Sequence, residues 1–208
     1  MLPIAAAGWP FILVPLALAL GAWGAGWPKT GLALGLLAGF MAFFFRDPER
    51  HPPGVPGAVL APADGRVTEV REPVEDPFVG RGRQISIFLS PLDVHVNRSP
   101  IAALVADVQY RPGAFRPAYR AEASELNERN TIALQGQEER VVVRQIAGVL
   151  ARRIVCRLRP GDKVAAGERI GLIRFGSRVD LVVPWSVTPS VRVGDRVRAG
   201  ETVVGVVE

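Results

Sequence analysis

Cysteine occurs once in these 208 residues, and histidine and lysine only twice each. The lone Cys156 excludes an internal disulfide framework and a thiol-rich metal site, since either needs several thiols. With His51 and His95 as the only histidines, no metal-binding cluster is legible and no metal is expected. Because Lys29 and Lys163 are the only lysines, arginine supplies almost all of a net charge of +5. A basic, arginine-rich chain suits an anionic partner, and lipid headgroups and nucleic acid both fit. No recognisable nucleic-acid motif accompanies the charge, so no nucleic-acid partner is expected. Long amphipathic helices are missing too. Beyond the first quarter only 117–128 reads as a weak one.

Charge is absent from Ile4 to Ala25. After Pro28-Lys29-Thr30 the apolar run resumes from Gly31 to Phe45 and stops at Arg46-Asp47. The first run is long enough to span about 30 Å of hydrocarbon. The second reaches only about 22 Å at a helical rise of about 1.5 Å per residue. Residues 1–45 therefore read as an apolar membrane hairpin, either with one short leg or as two segments dipping into one leaflet. Trp9, Trp23 and Trp27 suit interfacial positions in both cases. A cleaved signal peptide is a third reading, but it lacks a basic n-region and leaves the second run unexplained. A hairpin returns both ends to one side, and the arginine-rich remainder makes that side cytoplasmic.

Residues 46–57 form a proline-rich linker containing Pro48, Pro52, Pro53 and Pro56, stiff and non-helical. Residues 58–208 read as one mainly β (α+β) domain. Short strand-like runs at Val59–Val67 and Gln84–Leu89 are flanked by Gly and Pro. Cys156, in Ile154-Val155-Cys156, reads as a buried strand residue.

An internal repeat closes the chain: Gly161-Asp162-Lys163-Val164-Ala165-Ala166-Gly167-Glu168 recurs as Gly194-Asp195-Arg196-Val197-Arg198-Ala199-Gly200-Glu201. Each copy is a turn, a short strand, a turn and a short strand. The pattern resembles the β-sandwich of biotinyl and lipoyl carriers, the barrel-sandwich-hybrid type. It raises an alternative function, a membrane-tethered carrier or binding module, in which Lys163 would bear the cofactor.

Between the repeats lies Arg174-Phe175-Gly176-Ser177-Arg178-Val179-Asp180. A Gly-Ser pair inside a β-branched run reads first as a turn. It also allows Ser177 to attack the carbonyl of Gly176, since glycine offers no Cβ to block approach and reaches φ/ψ values closed to other residues. A serine hydroxyl needs a base. His95, in Ser90-Pro91-Leu92-Asp93-Val94-His95-Val96-Asn97-Arg98-Ser99-Pro100, is the better placed histidine. Asp64, in Pro62-Ala63-Asp64-Gly65, reads on its own as a turn aspartate.

Taken in order, Asp64, the His95 segment, the triplet Asn127-Glu128-Arg129 and Phe175-Gly176-Ser177 resemble the phosphatidylserine decarboxylase family in its short form. The match covers nearly everything from Arg46 to Glu208. The resemblance implies self-cleavage between residues 176 and 177, which turns Ser177 into a covalent pyruvoyl group and leaves the two fragments associated as a heterodimer. It implies decarboxylation of phosphatidylserine to phosphatidylethanolamine through a Schiff base on that group, an electron sink for the departing carboxylate. It assigns acid/base work to His95, and to Asp64 the orienting or charging of a base during maturation.

One departure from the long form stands out: where a second histidine would follow His95, this chain has Arg98. Either His95 serves both steps, or Asp64 acts more directly, or strain at Gly176-Ser177 carries more of the task. Asn97 and Arg98 are candidate contacts for the substrate's phosphate or carboxylate. Phosphatidylserine lies in the bilayer, so a basic domain on an apolar anchor at the cell membrane would be held against its substrate. The loop carrying Tyr110, Phe115 and Tyr119 among Arg111, Arg116 and Arg120 either meets the membrane or covers the site; a solvated loop is the alternative.

Overall fold

The computed structural model describes residues 3–118, 123–149, 153–174 and 176–207. It divides into two compact units, Met1–Glu49 and Arg50–Glu208. In the first, a single 3-10 turn leads into α1 (Trp9–Gly24), and α2 (Pro28–Phe44) returns antiparallel to it. Prolines at the first turn of each helix cost no backbone hydrogen bond there. Close backbone approach holds the hairpin at both ends: a Cβ on Gly8 would lie 2.4 Å from Phe45 Cβ, and one on Gly31 would lie 3.1 Å from the carbonyl of Ala19. The Ala5 N–H donates to the Phe45 carbonyl and the Asp47 N–H to that of Pro3, bringing the two ends together. Residues 6–24 are long and apolar enough to cross a membrane, whereas α2 is shorter. Leucines, tryptophans and phenylalanines stand exposed along both helices.

The second unit is mainly β. Its strands are β1 (Ala58–Leu60), β2 (Gly65–Asp76), β3 (Gly80–Leu89), β4 (Val96–Arg98), β5 (Ala103–Arg111), β6 (Arg129–Gln135), β7 (Arg140–Ile146), β8 (Ile154–Val155), β9 (Lys163–Val164), β10 (Arg169–Ile173), β11 (Ser177–Pro184), β12 (Val187–Pro189), β13 (Arg196–Val197) and β14 (Val203–Val207). An antiparallel, curled eight-stranded sheet runs β13-β2-β3-β11-β7-β6-β5-β9, and two three-stranded sheets run β1-β14-β12 and β4-β10-β8. Of the two runs legible in the sequence, Val59–Val67 is divided between β1 and the start of β2, and Gln84–Leu89 is the latter part of the longer β3. The weak helix anticipated over 117–128 is one turn, α3 (Ala123–Leu126), with Tyr119, Arg120 and two neighbours outside the described residues.

β11 is the centre of the large sheet, flanked by β3 and β7. Val179, Leu181 and Val183 point into the main core with Ile85, Ile87, Val141 and Val143. Period-2 alternation sends Arg178, Asp180 and Val182 to the other face, also buried. A strand covered on both faces usually reads as a near-continuous apolar run; β11 does so only from Leu181 to Val183, and Arg178 and Asp180 before it are buried charges.

The sequence repeat is also a structural one. In the first copy the Gly161 N–H and the Asp162 carbonyl bond Val105; in the second, Gly194 and Asp195 bond Val67 in the same way. Gly167 N–H donates to the Ser99 carbonyl where Gly200 N–H donates to that of Ala61. The two recipient segments bond each other, Leu60 N–H to the Pro100 carbonyl and Arg98 N–H to the Pro62 carbonyl. The copies meet at Gly167 and Gly200, where a Cβ on Gly200 would lie 3.2 Å from Gly167 Cα. The arrangement is a pseudo-twofold. Lys163 lies within β9, paired with Leu104, rather than at an exposed hairpin tip where a carrier lysine must stand.

Candidate active site

The link between β10 and β11 crosses from one sheet to another, and the segment joining β3 to β4 accompanies it. Ser177 pairs with Leu89 at the end of β3. Six residues on, the His95 carbonyl accepts from the N–H of Ile173 at the end of β10, at 3.3 Å. The two connections, 89–95 and 173–177, are thus tied at both ends. Val179 and Ser177 share a face of β11, being two residues apart, and His95 lies just before β4, whose middle residue is Asn97. Asn97 Oδ1 accepts from Gln145 Nε2 at 2.8 Å, and Gln145 is the β7 partner of Val179. Stepping back two residues on each side leads from this contact to His95 and to Ser177.

Gly176 has φ +58°, in the left-handed region that glycine enters without a Cβ penalty, and open space where a Cβ would be. Phe175 lies outside the described residues. Ser177 is 0% exposed, and its Oγ has no hydrogen-bond partner among the described residues. An uncompensated buried hydroxyl costs stability, so such an atom asks for a chemical reason.

His95 is fully buried. Its Nδ1 lies 2.9 Å from the Asp93 carbonyl oxygen. A carbonyl only accepts, so Nδ1 carries the proton and the lone pair of the neutral ring sits on Nε2. Asp93 is fixed in turn, its Oδ2 accepting from the Ser90 N–H and Oγ at 2.8 and 2.7 Å.

The remaining candidates are placed as follows. Asp64 Oδ2 accepts from Arg50 at 2.8 Å and Oδ1 from the Ala199 N–H at 2.8 Å, which ties it to the second repeat. Arg50 also reaches Glu201 at 2.7 Å. Arg98 is 4% exposed and donates to the Gly167 carbonyl at 2.9 Å. Asn97 is fully buried, and its Nδ2 has no hydrogen-bond partner among the described residues. A line of buried amides runs behind it, Asn130 Nδ2 donating to Gln145 Oε1 at 2.9 Å. Burial and repulsion from Arg153 lower the pKa of Arg174, just before the Gly-Ser pair.

Two features of this region were given no role from the sequence. Asn127, one member of the quoted triplet, pins a loop: Oδ1 accepts from the Arg116 N–H, while Nδ2 donates to the carbonyls of Arg116 and Ala147. Phe115 on that loop is partly exposed, whereas Tyr110, read from the sequence as part of the loop, lies in β5 paired with Asn130 and stands exposed. Behind the scissile strand, Arg178 is 2% exposed and donates to Asp180 at 2.6 Å, Ser86 Oγ at 2.7 Å and Glu69 at 3.0 Å. Ser124 Oγ donates to the other Asp180 oxygen at 2.8 Å. Only the sheet register shows that these charges share one buried face.

A buried serine beside a left-handed glycine, tied through strand pairing to a buried histidine, suits a chain that acts on its own backbone; the class is that of self-processing proenzymes. The protein-family profile described as Phosphatidylserine decarboxylase matches residues 37–205. Relatives named phosphatidylserine decarboxylase proenzyme include one from Nocardia farcinica, 47% identical over 208 residues that cover 97% of this chain and 86% of the relative. Another, from Burkholderia cenocepacia, is 42% identical over 99% of this chain and 96% of the relative. A third, from Chlorobium luteolum, is 47% identical over 83% and 82%. The chain belongs to the phosphatidylserine decarboxylase family.

Proposed function

We propose that this protein decarboxylates phosphatidylserine to phosphatidylethanolamine after cutting itself between Gly176 and Ser177. The observation that carries the reading is Ser177 Oγ, buried and unbonded among the described residues beside a glycine at φ +58°. Oγ attacks the Gly176 carbonyl carbon, the C–O bond forms as the C–N bond breaks, and the hydroxyl proton passes to the nitrogen. Loss of the Ser177 α-proton then expels the Gly176 carboxylate. The remaining dehydroalanine tautomerises and takes up water with release of ammonia, leaving a pyruvoyl group at residue 177.

That group supplies a carbonyl able to condense with the substrate amine and to accept the electrons released as CO₂ leaves. Ser177 fits it as precursor, since among the described residues no other hydroxyl residue directly follows a left-handed glycine. His95 Nε2 takes the hydroxyl proton during maturation and delivers one to the substrate carbon during turnover. Asn97 Nδ2 donates to the substrate's carboxylate or phosphate. Arg98 flanks that contact while holding Gly167, and Asp64 acts at a remove by joining Arg50 to the second repeat. Residues 1–45 anchor the protein in the cell membrane and 46–57 link them to the catalytic domain 58–208 on the cytoplasmic side. The pseudo-twofold supports reading the repeats as a barrel-sandwich hybrid. A cavity of about 420 Å³ is lined by Arg71, Arg111, Arg129 and Arg144 against Asp76 and Asp107, with Arg144 paired to Asp76, and its remaining positive charge suits an anionic lipid surface.

Intact mass measurement of the purified protein tests the reading, combined with borohydride reduction and a decarboxylation assay on phosphatidylserine in mixed micelles. Two fragments divided between Gly176 and Ser177, a blocked and reducible N-terminus on the smaller, and CO₂ release are expected. Ser177→Ala should stay whole and inactive, and His95→Gln should stay folded with little activity. A single unmodified, folded wild-type chain refutes the proposal.

A further inference from the structure

Two glycines meet at the scissile bond, and they are glycine for different reasons. Gly176 needs its conformation, with φ +58° and nothing within 4 Å of a hypothetical Cβ. Gly148 needs space. Its φ lies outside the left-handed region, yet a Cβ built on it would fall 2.2 Å from the Gly176 carbonyl oxygen, 3.3 Å from that carbonyl carbon and 3.2 Å from Ala118 Cβ. The oxygen of the scissile peptide therefore occupies the place where a side chain on Gly148 would begin.

The walls of this slot are fixed from elsewhere. Asn127 Nδ2 donates to the Ala147 carbonyl at 2.7 Å and to that of Arg116 at 2.8 Å. The N–H of Ala147 donates to the Glu128 carbonyl at 2.9 Å. A Cβ on Gly113 would lie 2.5 Å from the carbonyl carbon of Asn127, so that glycine lets the loop bearing Arg116 and Ala118 lie against Asn127. Asn127 thus holds both the strand end that carries Gly148 and the loop that faces it.

We infer that Gly148 is a positioning residue for self-cleavage, the vacant side-chain position being the slot that fixes the Gly176 carbonyl for attack by Ser177 Oγ. The inference rests on the proposed self-cleavage. Attack by Oγ on the peptide preceding its own residue closes a small ring, so the hydroxyl reaches the carbonyl face only when the oxygen is turned away from it. Docking that oxygen against the Gly148 Cα, under Ala118, fixes this orientation before reaction. A methyl group at Gly148 expels the oxygen, and misplacement on the order of 1 Å costs about a hundredfold in rate. After elimination the Gly176 carboxylate is a free chain end and no longer needs the slot.

The test follows maturation of the full-length chain in detergent by gel and intact mass, comparing wild type, Gly148→Ala and Ile146→Val. Ile146 is the buried last residue of β7, two positions before Gly148, so its truncation reports the effect of a packing loss at that strand end without filling the slot. Gly148→Ala is expected to mature about a hundredfold more slowly, and hydroxylamine should release no fragment from it, because the block precedes the ester. Ile146→Val should mature at the wild-type rate. Ala118→Gly added to Gly148→Ala clears one neighbour but not the carbonyl, and should leave maturation slow. Wild-type kinetics in Gly148→Ala, rescue by Ala118→Gly, or accumulation of a hydroxylamine-sensitive ester would each overturn the inference. Should Gly148→Ala not fold, Asn127→Asp keeps the acceptor for Arg116 and removes the donor to Ala147; slow maturation supports the slot, and a wild-type rate overturns it. A wild-type chain that is not divided at Gly176–Ser177 defeats the underlying reading first, whereas normal wild-type cleavage with an unaffected Gly148→Ala defeats this inference alone.

Discussion

Leu181 offers a way to measure how tightly the strand starting at Ser177 is held. It is 0% exposed, paired with Ile85 on one side and Val143 on the other. Truncation to alanine removes buried methyl groups and leaves a cavity, at a cost of about 2–5 kcal/mol. In an uncleaved Ser177→Ala background this loss appears in the melting temperature; at about 2–4 °C per kcal/mol for a unit of this size, the shift is about 4–20 °C. In the cleaved molecule β11 belongs to a separate fragment, so the same free energy weakens association. With about 1.4 kcal/mol per tenfold, affinity between the fragments falls roughly thirty- to several-thousand-fold. Thermal melts of the uncleaved chain and gel filtration of the cleaved one across a urea series read the two effects. Val193→Ala, 63% exposed, serves as control. A melting shift below about 2 °C for Leu181→Ala, or an equal loss for Val193→Ala, refutes the placement of β11 at the sheet centre.

Three further outcomes follow from the same geometry. Asp180→Ala leaves the Arg178 guanidinium buried with only Glu69 and Ser86 beside it and should cost about 3–5 kcal/mol, most of it recovered when Arg178→Met is added; a denaturant titration decides, and a failure to recover argues against a buried ion pair. Burial raises the Cys156 thiol pKa, against opposing hydrogen bonds from Leu158 and Asn130. The thiolate is therefore scarcer near pH 8 than in a free cysteine, and alkylation by iodoacetamide should be slower than that of a model thiol and should accelerate on unfolding. Deleting residues 1–45 should release the remaining domain from membranes while Ser177 still self-cleaves, as a flotation assay and a mass measurement would show; loss of cleavage would mean that the hairpin serves the chemistry.

Periodicity and punctuation carried much of this fold into the sequence. The apolar runs gave the helical hairpin because nothing charged interrupts them, and the Gly-Asp repeat gave matching turns because its glycines adopt positive φ in both copies. Ser177 and His95 were legible as a pair only through family resemblance. No spacing in the sequence announces that Leu89 pairs with Ser177 or that the His95 carbonyl meets Ile173, since both are long-range registers. Arg178 and Asp180 would pass for solvated charges until the sheet covers them. Asp64 was legible as a residue of interest, but its partners Arg50 and Ala199 lie far away in sequence. Gly148 was illegible, because a glycine required for space looks like any other glycine until the neighbouring oxygen is in place.

The bond proposed to break lies at the very start of β11, where Ser177 makes the first pair of that strand with Leu89, and the connection before it comes from β10 of another sheet. Severing it leaves the β11 ladder from Arg178 onward in place, yet it removes the covalent memory by which the chain found the native state. The precursor folds as one polymer at its own effective concentration. Under the proposed cleavage, the mature protein, once denatured, must reassemble from two species whose encounter depends on dilution, and a pyruvoyl end would not rejoin the old chain. Recovery of the folded state after unfolding should therefore fall on dilution for the processed form and be independent of concentration for the unprocessed one. Durability in the working protein is then a matter of how slowly it opens rather than of how well it could refold.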